Sequence, residues 1–545
     1  MTKLNRSEEM TKSQLVRRLA TVAVALISFV SVQAGQAATA ATYVPITGTG
    51  STWSQNALDQ WRKNVAANYG MTVNYSGTGS SAGRRDFIAG STDFGVSEIP
   101  FQLHPTDGSD PEISTRPYAY MPIVAGGTSF MYNLKIGGQR VTNLRLSGEN
   151  ITKIFTGVIT KWNDPALLKD NPKLALPDKP ILPVIRSDGS GTSAQFTLWM
   201  SKQQPTLWNA FCKKVGLPTP CGLTSQYPAY NGFKAQSGSN GVAGYVSQDY
   251  GEGAITYVEY SYALKAGFPV AKVLNKAGYY VEPTAKSVAV ALLQAKINTD
   301  SKSDAYLTQI LDGVYNNADP RTYPISSYSY MIVPTAVGGV FTAQKGATLG
   351  TFAHYMLCEG QQQADALGYS PLPMNLVLAG FDQIKRIPGA GDAANVDAKN
   401  CNNPTFKAGD SPKSNALAKT APMPVACDKQ GADQCATGTG GSSSTNTSNS
   451  GNNSGSSTGT DSGITGTDGN TTGGTTDGSN SGNGSGNTTT NAGSDSLQAY
   501  PYTLPDQGFG QQQITMLVAG LLLLVAIITP PIAMSIFNRR SPKKD

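Results

Sequence analysis

The sequence predicts an α/β protein of more than one domain, carried out of the cytoplasm. Three observations predict it. Strand-like and helix-like segments alternate from residue 43 to 435. That stretch is too long for one core by the usual size of domains. The chain also opens with an export signal and closes with an apolar run long enough to span a bilayer.

The elements follow in chain order. Lys12, Arg17 and Arg18 precede the apolar run "LATVAVALISFVSV" (19–32) and the small residues "QAGQAATAA". This is the pattern of a secretory signal over residues 1–40, with cleavage expected between Ala34 and Ala40. The zone holds no Cys that could carry a lipid. Beyond it, "MTVNYSG", "PIVAGGTSFMYNL", "ILPVI", "AITYVEYSYAL" and "YSYMIVP" read as strands. A helix is expected over 52–69, where Leu58, Trp61, Val65 and Tyr69 form one stripe and Gly70 is a natural C-cap. Cys212, Cys221, Cys358, Cys401, Cys427 and Cys435 make an even count, which in an exported chain suggests three disulfides. Their spacing favours Cys212–Cys221, Cys358–Cys401 and Cys427–Cys435, although spacing alone does not fix a pairing. Zinc is the weaker alternative, because there is no CxxC and His104 and His354 are the only histidines.

Residues 436–495 contain only Gly, Ser, Thr, Asn, Asp, Ala and one Ile, Ile464. Such a segment cannot bury enough surface to offset its ordering entropy, and is expected to be a flexible tether. As a Gly/Ser-type coil its reach is roughly 40–50 Å. The uncharged run at 514–537 covers roughly 36 Å as a helix and is expected to cross the membrane. Arg539, Arg540, Lys543 and Lys544 place the tail 538–545 in the cytoplasm by the positive-inside rule. The globular part is then outside, at the extracellular face of the plasma membrane. The whole-chain charge of +6 resides in the two ends, since residues 1–18 and the tail each contribute three net positive charges. The exterior part is formally neutral, so composition does not argue for a nucleic-acid partner.

The chemistry concentrates in "IRSDGSGTSAQFTLWM" (185–200). A cation (Arg186), a carboxylate (Asp188), two glycines (Gly189 and Gly191) and four hydroxyls (Ser187, Ser190, Thr192 and Ser193) lie between a strand and a helix. A helix N-terminus has unpaired N–H groups and a positive dipole end, so this is an anion site in outline. Two companions repeat the logic. "GTGSTWSQNALDQW" (48–61) sets Ser51 and Thr52 at the start of the predicted helix. "NYSGTGSSAGRRDFIAG" (74–90) sets Ser80 and Ser81 before a short helix, on which Arg84 and Arg85 oppose the dipole and are expected to face solvent, with the mouth of a ligand cleft as the alternative. "DFGVSEIP" (93–100) adds Asp93 and Glu98. A carboxylate facing an anion is unfavourable unless the ligand has a proton to donate, which hydrogen phosphate has and sulfate lacks.

These residues resemble the extracytoplasmic phosphate-binding protein family of ABC-type phosphate uptake systems. "GTGSTW", "VNYSGTGSSAG", "DFGVSEIP", "ITKIFTGVITKWNDPAL", "VIRSDGSGTSAQFT", "GAITYVEYSYA" and "GYSPLP" carry the likeness, which covers most of 43–430. It implies a two-lobed periplasmic-binding-protein-like clamp of type II, with hinge strands crossing near Pro122 and Pro324. Residues 43–122 and 324–435 would form lobe I, and residues 123–323 lobe II. It implies that Thr52 donates its hydroxyl and N–H, Trp53 its N–H, and Ser80 from the facing turn. Arg186 would make the charged contact, steadied by Asp188. Ser190, Gly191 and Thr192 would add hydroxyl and main-chain donors, with Ser51 in support. Trp53 stands where the family usually has Phe, and Glu98 where it has Asp, the acceptor of the phosphate proton. Phe155, Trp162 and Leu167 in the "KIFTGVITKWNDPAL" stretch are expected to pack a core. The implied partners are inorganic phosphate and a membrane-embedded ABC permease, with a monomeric carrier and no cofactor.

Catalysis finds little support. Ser190 in "GSGTS" does not sit in the G-x-S-x-G pattern of a nucleophile elbow. A phosphatase would want metal ligands or a histidine partner. A receptor or adhesin on a stalk would fit the tether and anchor equally well. A less selective binder of tetrahedral oxyanions is the other alternative. The anion constellation separates these possibilities.

Overall fold

The computed structural model describes residues 43–439, apart from positions 301, 304, 305, 396, 408 and 412–414. The expected signal peptide, most of the tether, the apolar run at 514–537 and the tail lie outside the described residues. The described part is α/β, as the alternation predicts.

The first half runs β1 (Ile46–Gly50), α1 (Gln55–Tyr69), β2 (Val73–Ser76), α2 (Ser80–Ile88), β3 (Phe94–Ser97) and the long β4 (Tyr118–Tyr132). The middle contributes β5 (Arg145–Leu146), β6 (Leu182–Arg186), α3 (Gly191–Gln203), β7 (Lys234–Gln236), α4 (Gly238–Ser247), β8 (Ala254–Glu259) and α5 (Tyr260–Ala266). Then come β9 (Lys272–Leu274), β10 (Tyr280–Val281), α6 (Ala285–Leu292), β11 (Ser326–Pro334), α7 (Ala343–Leu357) and α8 (Ala416–Thr420).

Eight strands form one sheet in the order β2-β1-β3-β11-β4-β8-β6-β7. β4 links its two halves. Residues Tyr118–Gly127 pair antiparallel with β11, and Thr128–Tyr132 pair antiparallel with β8. The change of partner falls at Gly127/Thr128, five residues beyond the expected crossing at Pro122. Pro324 lies just before β11 rather than within it. Beyond Tyr118, every residue of β4 is buried, which is why its sequence reads as a continuous apolar run instead of an alternating one.

Two expected elements shift. The helix expected at 52–69 begins at Gln55, so Ser51 and Thr52 lie in the turn before it. Its buried stripe is Leu58, Trp61 and Val65, and Gly70 adopts φ 65° as the left-handed cap. "AITYVEYSYAL" is a strand only to Glu259, whose carboxylate accepts from the Ser261 N–H and starts α5.

The helix face Phe196, Trp199 and Met200 is buried, with Phe196 against Phe130, Phe155 and Tyr257. Phe155, Trp162 and Leu167 are core residues as expected. All six cysteines are bonded, as Cys212–Cys221, Cys358–Cys401 and Cys427–Cys435.

The last described stretch lies along elements of the middle segment. Arg145 donates to the carbonyls of Cys427 and Asp433, and Lys272 pairs with Asp428 at 2.9 Å. Arg321 donates to the carbonyls of Ala418 and Ala421. Residues 436–439, read from composition as tether, belong to this stretch. The Thr439 N–H donates to Thr142 O at 2.8 Å, and its hydroxyl donates to Val270 O at 2.5 Å.

Candidate anion site

Four chain segments that start helices meet at one place. They are the turn before α1, and the first residues of α2, α3 and α4. Two polar groups, joined by the 51–52 turn and by the first turn of α3, organise them.

The first group centres on Arg186, at the end of β6 and 3% exposed. Its guanidinium holds Asp188 by a fork, with Nε on Oδ1 at 2.7 Å and Nη2 on Oδ2. The remaining donors reach outward. Nη2 donates to Thr52 Oγ1 at 3.0 Å, and Nη1 to Ser239 Oγ at 3.4 Å and Thr192 Oγ1 at 3.5 Å. Asp188 also accepts from the Gly238 N–H at 2.9 Å. Burial raises the Asp188 carboxyl, but the hydrogen bond and charge of Arg186 and the Gly238 N–H outweigh it, and the group lies below the ordinary carboxylate range.

The second group centres on Glu98, fully buried just past β3. Three hydroxyls donate to it: Ser51 to Oε1 at 2.5 Å, Ser329 to Oε1 at 2.9 Å and Ser80 to Oε2 at 2.8 Å. No ion pair compensates it among the described residues. A carboxylate has about four lone-pair sites, so one acceptor position remains, on Oε2. That oxygen faces the start of α3, where a Cβ on Gly191 would lie 2.0 Å from it and 2.6 Å from Ser80 Oγ. Only glycine fits there.

Main-chain donors surround both groups. Ser190 caps α3 by accepting from the Ser193 N–H at 3.1 Å, which leaves its hydroxyl proton to donate. The N–H groups of Gly191 and Thr192 have no protein acceptor among the described residues. The Trp53 N–H is turned onto Ser51 Oγ at 2.9 Å. Thr52, Trp53, Ser80, Glu98, Arg186, Ser190, Gly191 and Thr192 therefore gather in one region, with Ser51 and Asp188 behind them.

Sequence reasoning missed two members. Ser239, whose N–H donates to Thr52 Oγ1 at 3.0 Å, follows the same small-hydroxyl helix start in "QSGSNG" and could have been found there. Ser329 carried no signal, because a serine in an apolar strand gains its role from the register of β11. Arg84 corrects an expectation. It is 1% exposed rather than in solvent, with Nε on Glu112 Oε2 at 2.7 Å and Nη1 on Ser97 Oγ at 2.9 Å. Arg85 does face solvent.

A buried, uncompensated carboxylate beside a fixed guanidinium and unspent N–H groups is suited to bind and discriminate an anion. Residues 34–359 match the PBP superfamily domain, so the class is a periplasmic-binding-protein-like fold. The chain is 34% identical over 334 residues to the phosphate-binding protein PstS of Xylella fastidiosa, covering 61% of this chain and 83% of that one. It is 30% identical over 355 residues to the phosphate-binding protein PstS of Methanocaldococcus jannaschii, covering 62% of this chain and 85% of that one. The chain belongs to the PstS phosphate-binding protein family, whose members are binding proteins and not enzymes.

Proposed function

We propose that this chain captures inorganic phosphate outside the cytoplasm and delivers it to a membrane-embedded ABC permease. The observation that carries this is that converging helix starts bring together Arg186, bonded to Thr52, and a buried Glu98 caged by hydroxyls, one of them from the neighbouring Ser51. Arg186 and the N–H groups of Gly191 and Thr192 supply positive potential for the anion. The free position on Glu98 Oε2 accepts the proton that phosphate carries. A fully ionised tetraoxyanion has no proton to offer it and meets an unpaired carboxylate instead, which is selection by penalty. Thr52, Trp53, Ser80, Ser190 and Thr192 complete the donor set, with the Trp53 N–H transferring from Ser51 to the ligand. Asp188 holds the guanidinium plane.

The clamp consists of two lobes, 43–122 with 324–435 and 123–323, joined by β4 and β11. Residues 416–439 rest against the second. Bonds from the second part of the chain to the first support a closed clamp: Arg186 and Ser239 reach Thr52, and Gln195 Nε2 donates to Glu98 O at 2.7 Å. Residues 1–40 export the chain, and 514–537 with the tether 440–495 keep it near its permease without fixing its orientation. Calorimetric titration of residues 43–439 with phosphate, arsenate and sulfate tests this. Phosphate and arsenate should bind and sulfate should compete poorly. No heat with phosphate, or equal binding of sulfate, refutes it.

A further inference from the structure

The side chains of the turn that precedes α1 are bonded to Glu98, Arg186 and Ser239, and its main chain is held as well, at three consecutive carbonyls. Tyr75 donates to Ser51 O at 2.7 Å, Tyr262 to Thr52 O, and Tyr369 to Trp53 O at 2.6 Å. The three phenols come from three distant places: β2, α5, and the segment beyond α7. All three are buried. Tyr369 is tied in turn, because Ser261 Oγ donates to its hydroxyl at 3.2 Å and Asn56 Nδ2 donates to Ser261 Oγ at 2.9 Å.

A trans peptide sets its C=O and N–H on opposite sides of one plane. Fixing the carbonyls of Ser51, Thr52 and Trp53 therefore fixes the N–H directions of Thr52, Trp53 and Ser54. Those of Thr52 and Ser54 have no protein acceptor among the described residues, and that of Trp53 is on Ser51 Oγ. A donor on a carbonyl also polarises the N–H of the same peptide group, so each phenol strengthens one N–H donor. We propose that Tyr75, Tyr262 and Tyr369 form a hydroxyl cradle that fixes the peptide planes of residues 51–54 for anion binding, as positioning residues that touch no ligand themselves. This rests on the phosphate-binding role above.

Burial raises all three phenols above their ordinary value, so they remain donors throughout the neutral range. Tyr262 and Tyr369 lie far from the turn in sequence, and Tyr262 belongs to the second lobe. The cradle is therefore complete only when the lobes are closed, and it links closure to the strength of the ligand's donors.

The test uses full-length protein and Tyr→Phe variants, which remove one oxygen each. The probe is inorganic phosphate, followed by calorimetry. The five tryptophans are labelled with ¹⁵N and the Trp53 amide is assigned by its loss in Trp53→Phe. Tyr262→Phe should weaken phosphate binding about three- to tenfold, the worth of one net hydrogen bond. In the complex its Trp53 amide proton should move upfield while those of Trp61, Trp162, Trp199 and Trp208 stay in place. Tyr75→Phe, which acts on the Thr52 peptide, should weaken binding similarly and decides the matter if Tyr262→Phe fails to fold. Phosphate affinity within about twofold of wild type in both variants, or a common shift of all five amides, overturns the cradle. Absence of phosphate binding by the wild-type protein would instead overturn the functional assignment.

Discussion

Replacing Arg186 by alanine tests the site and its foundation together. The guanidinium is 2% exposed and Asp188 15% exposed, so the substitution strips a largely buried carboxylate of its counter-charge and leaves it main-chain donors such as the Gly238 N–H. Removing one partner of a buried pair costs about 3–5 kcal/mol, and the partial exposure of Asp188 points to the lower end, about 3 kcal/mol. The bonds to Thr52, Thr192 and Ser239 are lost as well. Phosphate affinity should fall about 10–100-fold, the ~1.5–3 kcal/mol of a charged hydrogen bond. Arg186→Ala/Asp188→Ala should recover most of the stability and none of the affinity, which separates the two effects. The acid limb gives a second readout. The folded Asp188 pKa is depressed, so the pair's stabilisation is complete above the unfolded carboxylate value and is lost as pH falls through the folded one. Arg186→Ala should lack that acid-side loss. Denaturant midpoints across pH measure stability, and calorimetry measures affinity. Equal stability of the single and double variants, or undiminished phosphate binding by a folded Arg186→Ala, would refute the reasoning.

Three further outcomes are expected. Glu98→Gln places an amide among three hydroxyl donors, where its N–H₂ can donate to a sulfate oxygen; the phosphate-to-sulfate preference should narrow roughly tenfold in competition binding, and an unchanged ratio removes Glu98 from selectivity. Gly191→Ala drives a Cβ to 2.0 Å from Glu98 Oε2, so it should cost about 2 kcal/mol of stability by overpacking and most of the phosphate affinity; a variant that binds normally would show that Glu98 moves aside freely. Glu259 is fully buried, its Oε1 has no partner among the described residues, and burial raises its carboxyl well above the ordinary range despite the Ser261 N–H. A raised folded value contributes stability below the unfolded pKa that is lost as pH climbs through the folded one, so Glu259→Gln should flatten the decline of the denaturation midpoint as pH rises above the unfolded carboxylate value, and parallel profiles would contradict this.

Much of the site was legible because its chemistry is local. Ser51, Thr52, Ser80, Arg186 and Gly191 each sit in a short run where a strand gives way to small polar residues and then to a helix, and that pattern is written in consecutive letters. The disulfide pairing was legible for the related reason that two of the three bridges close loops of nine and eight residues. What escaped depends on distance. Arg84 reads as a solvent-facing residue from its local sequence, where its position in α2 opposes the dipole, whereas Glu112, 28 residues on, supplies the carboxylate that pairs with it in the interior. Ser329 needs the register of β11 before its hydroxyl can reach Glu98. "YVEYSYAL" has strand composition, but the Glu259 side chain caps the next turn, and a capping bond outweighs the weak preference of aromatic residues for strands.

The way the chain leaves the fold determines where it can be pulled. More than a hundred residues follow Thr439, and any tension on them enters the folded part at Val270 and Thr142. The next attachments back along the chain are the Lys272–Asp428 pair and the two carbonyls held by Arg145. All of these grips lie between residues 123 and 323. None of these grips bonds to the turn at 51–54 or to Glu98, so a load on the C-terminal end does not act on them directly. The Cys427–Cys435 bridge removes its loop from the length that can be paid out. Should the outer grips peel away, the Cys358–Cys401 bridge passes the load to the end of α7 and keeps the residues between the two cysteines out of the length that can be paid out.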